Sequence, residues 1–208
     1  MENINSCEKI DLSEKQINYW KEVEKNINSE LLDLKGTVLV MHNSVEFVDL
    51  LDFIKNLRKG EFTNVLYVSL VRSYNYMKNA LSFNSVDDKR IVFIDCVSGY
   101  AFPIEENIDQ ALYHKPPESL DELKNILKFG IEKINPDIII LDSLSQYINF
   151  SRSDEEDLHG LCNFLNQLKS DENYSTLDSI LLFYDSKMGF IKNLPKDYID
   201  NIYKIEVF

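Results

Sequence analysis

The sequence predicts an α/β domain around a mostly parallel sheet, and three observations predict it. The 208 residues are 44% hydrophobic and 12% aromatic, enough to fill a sizeable core and to set wholesale disorder aside. The strand-like segments are continuous apolar runs rather than alternating ones, the pattern of strands buried on both faces between helix layers. Those runs alternate with stretches of helical apolar spacing, which calls for right-handed crossovers and a doubly wound, three-layer topology.

Taken in order, residues 1–35 read as a helical lead-in and residues 36–208 as the α/β domain. Ser13 and Gln16 have capping-box spacing, Ile17, Trp20, Val23 and Ile27 form an apolar stripe, and Gly36 ends the segment. Thr37 to Met41 is the first strand. Val45 to Leu57 follows with Phe47, Leu50, Leu51, Ile54 and Leu57 at helical spacing. Val65 to Val68 is the second strand, followed by a short helix carrying Tyr74, Met77 and Leu81. Ile91 to Ile94 is the third strand and ends at Asp95. A looser stretch from Val97 to Pro117 holds a short candidate strand, Ala111 to Tyr113. Ser119 and Glu122 then cap a helix lined by Leu120, Leu123, Leu127 and Ile131. Ile138 to Leu141 is the most apolar strand and ends at Asp142. Ser153 and Glu156 open a helix with Leu158, Leu161, Cys162, Leu165 and Leu168 inward. Ile180 to Tyr184 is a further strand, and Ile202 to Phe208 reads as an edge strand. There are no internal repeats or low-complexity segments.

Composition excludes several classes of function. Twenty-two Lys and Arg against 35 Asp and Glu give a net charge of −13, which repels phosphate backbones and disfavours a nucleic-acid partner. No apolar run approaches the roughly 20 residues of a membrane span, and the polar start lacks a signal-peptide pattern, so a cytoplasmic location is expected. Cys7, Cys96 and Cys162 form no C-x-x-C pair. Cys96 and Cys162 fall on apolar segments and read as small buried hydrophobes.

In an open parallel sheet ligands sit beyond the carboxyl ends of the strands. That rule directs attention to His42–Ser44, Ser69–Arg72, Asp95–Ser98, Asp142–Ser145 and Tyr184–Lys187. Among them, Pro136-Asp137-Ile138-Ile139-Ile140-Leu141-Asp142-Ser143-Leu144-Ser145 resembles the Walker B strand of the RecA/KaiC-like ATPases. Val65 to Leu70, Ile94-Asp95-Cys96-Val97-Ser98 and Pro117-Glu118-Ser119-Leu120 resemble further pieces of the same group, in the same order, over roughly residues 36 to 207. The resemblance implies a P-loop NTPase fold, a nucleotide with Mg²⁺ held partly by Asp142, and side-by-side assembly with itself or with an active relative.

The departures from that family are as informative. Where the first strand should run into G-x-x-x-x-G-K-[ST], this chain has Met41-His42-Asn43-Ser44-Val45-Glu46-Phe47. No glycine is there to adopt the φ > 0 conformations of a phosphate-wrapping loop, and no lysine is there to neutralise the phosphates. Glu46 adds a negative charge. Where the family places a catalytic glutamate after its second strand, this chain has Val71 and Arg72, neither of which accepts a proton at neutral pH. These positions, with Ser143, define a vestigial nucleotide site with no catalytic residue, and no cofactor is expected beyond a residual nucleotide or Mg²⁺.

Other readings of the same residues stand beside this one. Asp142 can simply end a strand and cap the following turn, with Ser143 and Ser145 bonded to local backbone. Asp95 and Asp142 could share a metal ion if their strands are adjacent, although a third carboxylate is not evident. His42 is the histidine at a strand end, whereas His159 reads as solvent-facing. Tyr74, Tyr76 and Arg72 could grip a base or a peptide, or serve as packing and surface residues. The function expected is regulatory or protein-interacting, with a non-hydrolysing nucleotide or ligand sensor as the first alternative and a metal-dependent enzyme using Asp95 and Asp142 as the second.

Overall fold

The computed structural model describes residues 35–42, 51, 53–55, 63–101, 107–151, 155–185, 187 and 196–205, all within one compact unit, Leu34–Phe208. The lead-in helix expected over residues 1–35 lies outside them apart from Lys35, as do Asn43, Ser44 and Glu46.

Among the described residues seven strands form one sheet: β1 (Gly36–His42), β2 (Val65–Ser69), β3 (Ile91–Asp95), β4 (Ala111–Tyr113), β5 (Ile138–Asp142), β6 (Ser179–Asp185) and β7 (Asn201–Lys204). Their spatial order is β4-β3-β2-β5-β6-β1-β7. Every pairing in the sheet is parallel, including those of both edge strands. The candidate strand at residues 111–113 is therefore real and forms one edge. The C-terminal edge strand is shorter than expected, Asn201–Lys204, and residues 206–208 lie outside the described set.

Among the described residues, the α-helices with both ends defined are α1 (Tyr74–Phe83), α2 (Ser98–Ala101), α3 (Leu120–Ile134), α4 (Leu144–Ser151) and α5 (Glu155–Ser170). Leu51 and Phe53 to Lys55 are also helical, and the rest of the helix expected over Val45 to Leu57 lies outside the described residues. The capping chemistry read from the sequence forms at α3: Ser119 Oγ accepts from Glu122 N at 3.3 Å, while the Glu122 carboxylate accepts from Glu118 N at 2.7 Å. Asp121 and Glu122 sit in its first turn and Lys133 in its last, each complementing the helix dipole. Asn135, in the left-handed conformation at φ 45°, turns the chain into β5. Helix α4 has no counterpart in the sequence reading. Its apolar residues sit directly after a strand and lack a separate start signal.

Because β side chains alternate, each face of the sheet has its own packing. One face presents Leu39, Leu66, Val68, Ile94, Ile139, Leu141, Ile180 and Leu182 to Leu123, Ile126, Leu127 and Ile131 of α3 and to Leu158, Leu161, Leu165 and Leu168 of α5. Gly130 brings α3 close: a β-carbon there would lie 2.7 Å from Leu66 Cδ2 and 2.8 Å from Ile94 Cδ1. The other face is aromatic. Tyr67 stacks beside Phe93 at 5.2 Å and Phe183 at 6.4 Å, Phe93 meets Tyr74 of α1, and Phe183 meets Phe53. Among the described residues no helix is long and apolar enough to cross a membrane.

Candidate functional site

The aromatic face ends, at the carboxyl edge of the sheet, in a row of polar residues. Asp95, Ser69 and Asp142 lie in register on β3, β2 and β5, and Phe183 of β6 continues the same rung. Two residues further out, His42 of β1 pairs with Asp185 of β6. From β2 the chain leaves through α1 towards β3. From β5 it leaves through α4 and α5 in the opposite direction, towards β6. The crevice between β2 and β5 is therefore a topological switch point, the place where open α/β sheets bind ligands.

Asp142 sits in that crevice and is fully buried. Its Oδ2 accepts two hydrogen bonds, from Tyr67 Oη at 2.6 Å and from Arg72 Nη1 at 2.5 Å. The turn after β2 brings Arg72 into place. Ser69 Oγ donates to Arg72 O at 2.6 Å and accepts from Arg72 N at 3.0 Å, folding residues 69–72 back over the strand end. Leu70 N donates to Asp142 O and extends the β2–β5 ladder. The result is an ion pair between a carboxylate that solvent does not reach and a guanidinium side chain only 12% exposed.

The pKa directions follow from this arrangement. Burial, reinforced by the Asp142 charge, pushes the Tyr67 phenol well above its ordinary value, so it remains a donor. Burial opposes the Arg72 charge, but the Asp142 carboxylate more than offsets it and leaves the guanidinium above its ordinary value. Among the described residues, Asp142 Oδ1 and both ring nitrogens of His42 are buried without a hydrogen-bond partner, and the His42 and Phe183 rings meet edge to face with centroids 6.1 Å apart.

The expected site residues divide as follows. Arg72 and Asp142 are brought together at the carboxyl edge, with Ser143 next to Asp142 and Val71 exposed next to Arg72, whereas His42 lies at the same edge on β1 with β6 between it and β5. Asp142 does not cap the following turn, since its carboxylate is turned to Tyr67 and Arg72. Ser143 Oγ does that work, accepting from Gln146 N at 3.2 Å. Ser145 departs from the expected local bonding: its Oγ lies 2.9 Å from Ser143 Oγ and accepts from Asp185 N, forty residues away. Asp95 and Asp142 are not on adjacent strands, because β2 lies between them. Asp95 is also committed elsewhere. Its Oδ1 accepts from Val97 N and Ser98 N, and its Oδ2 from Tyr74 N and Ser98 Oγ, all between 2.7 and 2.9 Å. Among the described residues no three His, Cys, Asp or Glu side chains gather as a metal site.

Tyr74 is buried packing, Tyr76 is half exposed, and His159 is exposed. Cys96 and Cys162 are buried, and burial pushes their thiols up to about 12 and about 11. The sequence reading missed Tyr67 as a partner of Asp142. The available signal was a hydroxyl-bearing side chain inside an otherwise aliphatic strand, two residues before Ser69 and hence on the same face.

The comparisons bear on the fold: the all-parallel sheet with its helices is an α/β fold of the RecA/KaiC-like type. The chain is similar to the flagellar accessory protein FlaH of Methanocaldococcus jannaschii, with a TM-score of 0.56 and 13% identity, over 90% of this chain and 77% of that one. It is equally similar to a KaiC-like protein of Pyrococcus horikoshii OT3, with a TM-score of 0.56 and 12% identity, over 83% of this chain and 74% of that one. At such identities the likeness speaks for the fold alone. In sequence, the chain is 26% identical over 91% of its length to a Dictyostelium discoideum protein described as probable polyketide synthase 28, and 25% identical over 86% to probable polyketide synthase 33. It spans only 8% and 6% of those much longer proteins. No family model matches the sequence.

Proposed function

We propose that this chain is a KaiC-like-fold module that does not hydrolyse ATP and acts through protein contacts. The observation that carries this reading is the guanidinium of Arg72 on the carboxylate of Asp142. A magnesium ion needs a carboxylate it can approach with most of its water retained. Here one oxygen of Asp142 holds a phenol and a fixed cation, and the other is buried. A divalent ion at that carboxylate would face the positive charge of Arg72 at close range. The residues present do not fit a Mg²⁺ centre.

Two sequence features support the same reading: the glycine- and lysine-free segment His42 to Phe47, and the absence of an acid at Val71 and Arg72. The polyketide synthase segments matched are the size of one domain within a far longer protein, which suits a module that works by contact inside a larger assembly. Purified full-length chain incubated with ATP and Mg²⁺ should release no phosphate above a protein-free control. Light scattering or capture should reveal a complex with itself or another protein. Repeated turnover that disappears in Asp142→Ala would overturn the proposal.

A second reading, a non-hydrolysing ligand sensor, is favoured by polar atoms of Asp142 at the crevice and of His42 further along the carboxyl edge that are buried without a partner among the described residues. Calorimetric titration with ATP, ADP and cyclic nucleotides, with Mg²⁺ and with chelator, distinguishes the two. Against a metal-dependent hydrolytic reading stand the four hydrogen bonds on Asp95 and the strand between it and Asp142.

A further inference from the structure

Helix α1 turns only one side to the sheet. Tyr74, Met77 and Leu81 are buried there. At about 100° per residue, Tyr76, Asn79 and Phe83 fall on the opposite side, with Ala80 at their flank. Phe83 is 90% exposed, more than any other large hydrophobic among the described residues, and Tyr76 is 52% exposed. The core is filled from the inner side of the helix, so these two aromatic rings are not needed to build it.

The charge pattern singles out the same face. The chain carries 35 Asp and Glu, yet none falls between residues 62 and 86. Lys78 is the one charged residue of the helix and lies on the other flank, its Nζ 5.7 Å from the centroid of the Tyr74 ring. Aromatic enrichment with few charges marks the core of a protein interface. Acids resume just past the helix, at exposed Asp87 and half-buried Asp88.

These features select a second copy of the chain as the occupant. Two molecules of net charge −13 repel wherever acids face acids, so they approach best through a face that lacks them. The stripe is also self-complementary. Antiparallel pairing of two α1 helices about the midpoint of Asn79 and Ala80 sets Tyr76 of one copy against Phe83 of the other, twice over, as a two-fold axis requires. The small Ala80 beside the axis lets the helices pack closely. The same pairing carries Asp87 of each copy to the amino end of the other copy's α1, the positive end of its dipole.

We propose that the outer face of α1 is the contact of a two-fold homodimer, closed by Tyr76 and Phe83 of each copy. The proposal rests on the contact-based reading above and names a second copy as the partner. Four aromatic side chains bury at most roughly 150–250 Å² each, which falls short of the roughly 1,200–2,000 Å² of a stable pair. The dimer is accordingly weak, with a Kd on the order of 10–100 µM.

The test is sedimentation equilibrium of the full chain from about 1 to 500 µM, a span that brackets that Kd. The expected result is a reversible monomer–dimer equilibrium. Phe83→Glu and Tyr76→Glu should each weaken it about tenfold or more, by removing a central ring and adding a carboxylate. The urea midpoint of Phe83→Glu should be unchanged, since that side chain faces solvent. Phe129→Glu, at an exposed aromatic on α3, should dimerise like the unmodified chain. Asp87→Asn should weaken dimerisation about two- to fivefold. A monomer at every concentration would overturn the proposal and leave the contact reading to a different protein. A dimer indifferent to Phe83→Glu would overturn the α1 face while supporting that reading. Undiminished dimerisation of Asp87→Asn would overturn the antiparallel arrangement.

Discussion

Removing Arg72 tests whether the Asp142 ion pair holds the crevice together. Two unit charges about 4 Å apart attract by about 4 kcal/mol at an effective dielectric near 20, and breaking one side of a buried pair costs about 3–5 kcal/mol. Asp142 is fully buried and the Arg72 side chain is 12% exposed, so this pair belongs near that range. Two effects reduce the loss: the Tyr67 hydrogen bond to Asp142 Oδ2 persists, and water can enter the space that the guanidinium leaves. Arg72→Ala should therefore lower stability by about 3 kcal/mol. Asp142→Asn should cost less, because Arg72 retains some contact with solvent. The double variant should lose much less than the sum, a coupling of at least about 2 kcal/mol. Urea unfolding followed by circular dichroism, with unchanged slope, measures all three. A loss of under about 0.5 kcal/mol for Arg72→Ala, or additive single losses, would refute the argument.

Three further outcomes are expected. Asp200 accepts from Lys169 Nζ at 2.7 Å and from Thr37 N at 2.6 Å, and the Lys169 bond chiefly holds its carboxyl below the usual value. A depressed carboxyl stabilises the fold above its unfolded pKa of about 4, and that contribution disappears as pH falls through the folded value. Urea midpoints between neutral pH and about 3 should therefore fall less steeply in Asp200→Asn, the effect being small because Asp200 is half exposed. Gly130→Ala should lose about 1–2 kcal/mol by thermal or urea unfolding, since overpacking against Leu66 and Ile94 exceeds the helix-propensity gain. Iodoacetamide at neutral pH should leave Cys96 and Cys162 unlabelled in the native protein and label both in urea, as mass spectrometry of peptides would show.

The strands were legible because burial on both faces writes itself as unbroken apolar runs, as in Ile138 to Leu141. The α3 cap was legible because Ser119 and Glu122 act within a single turn. Strand order was not. Nothing local tells β1 to lie between β6 and β7, since that choice is made by distant partners. The crevice was half legible. Asp142 stood out as the one charge ending the most apolar strand, but its partners come from about seventy residues away, and pairing across strands leaves no local trace. Arg72 was noticed for what it could not do, accept a proton. What it does, neutralise Asp142, depends on the Ser69 turn. Ser145 misled in the same way, since a hydroxyl beside a turn gives no sign that it will hold the end of β6.

The position of β1 also shapes how the chain acquires its fold. Both neighbours of this strand, β6 and β7, follow all the other described strands in chain order, and Val38 finds its partner at Asn201. A ribosome thus releases Val38 to Met41 long before either flanking strand exists. Meanwhile β2, β3 and β4 can pair with near neighbours in vectorial order. Such long-range closure places folding on the slow side for a domain of this size and leaves an apolar strand with two open edges in the nascent protein. Low expression temperature and chaperone supply should therefore raise the recovered yield more than any change at the crevice.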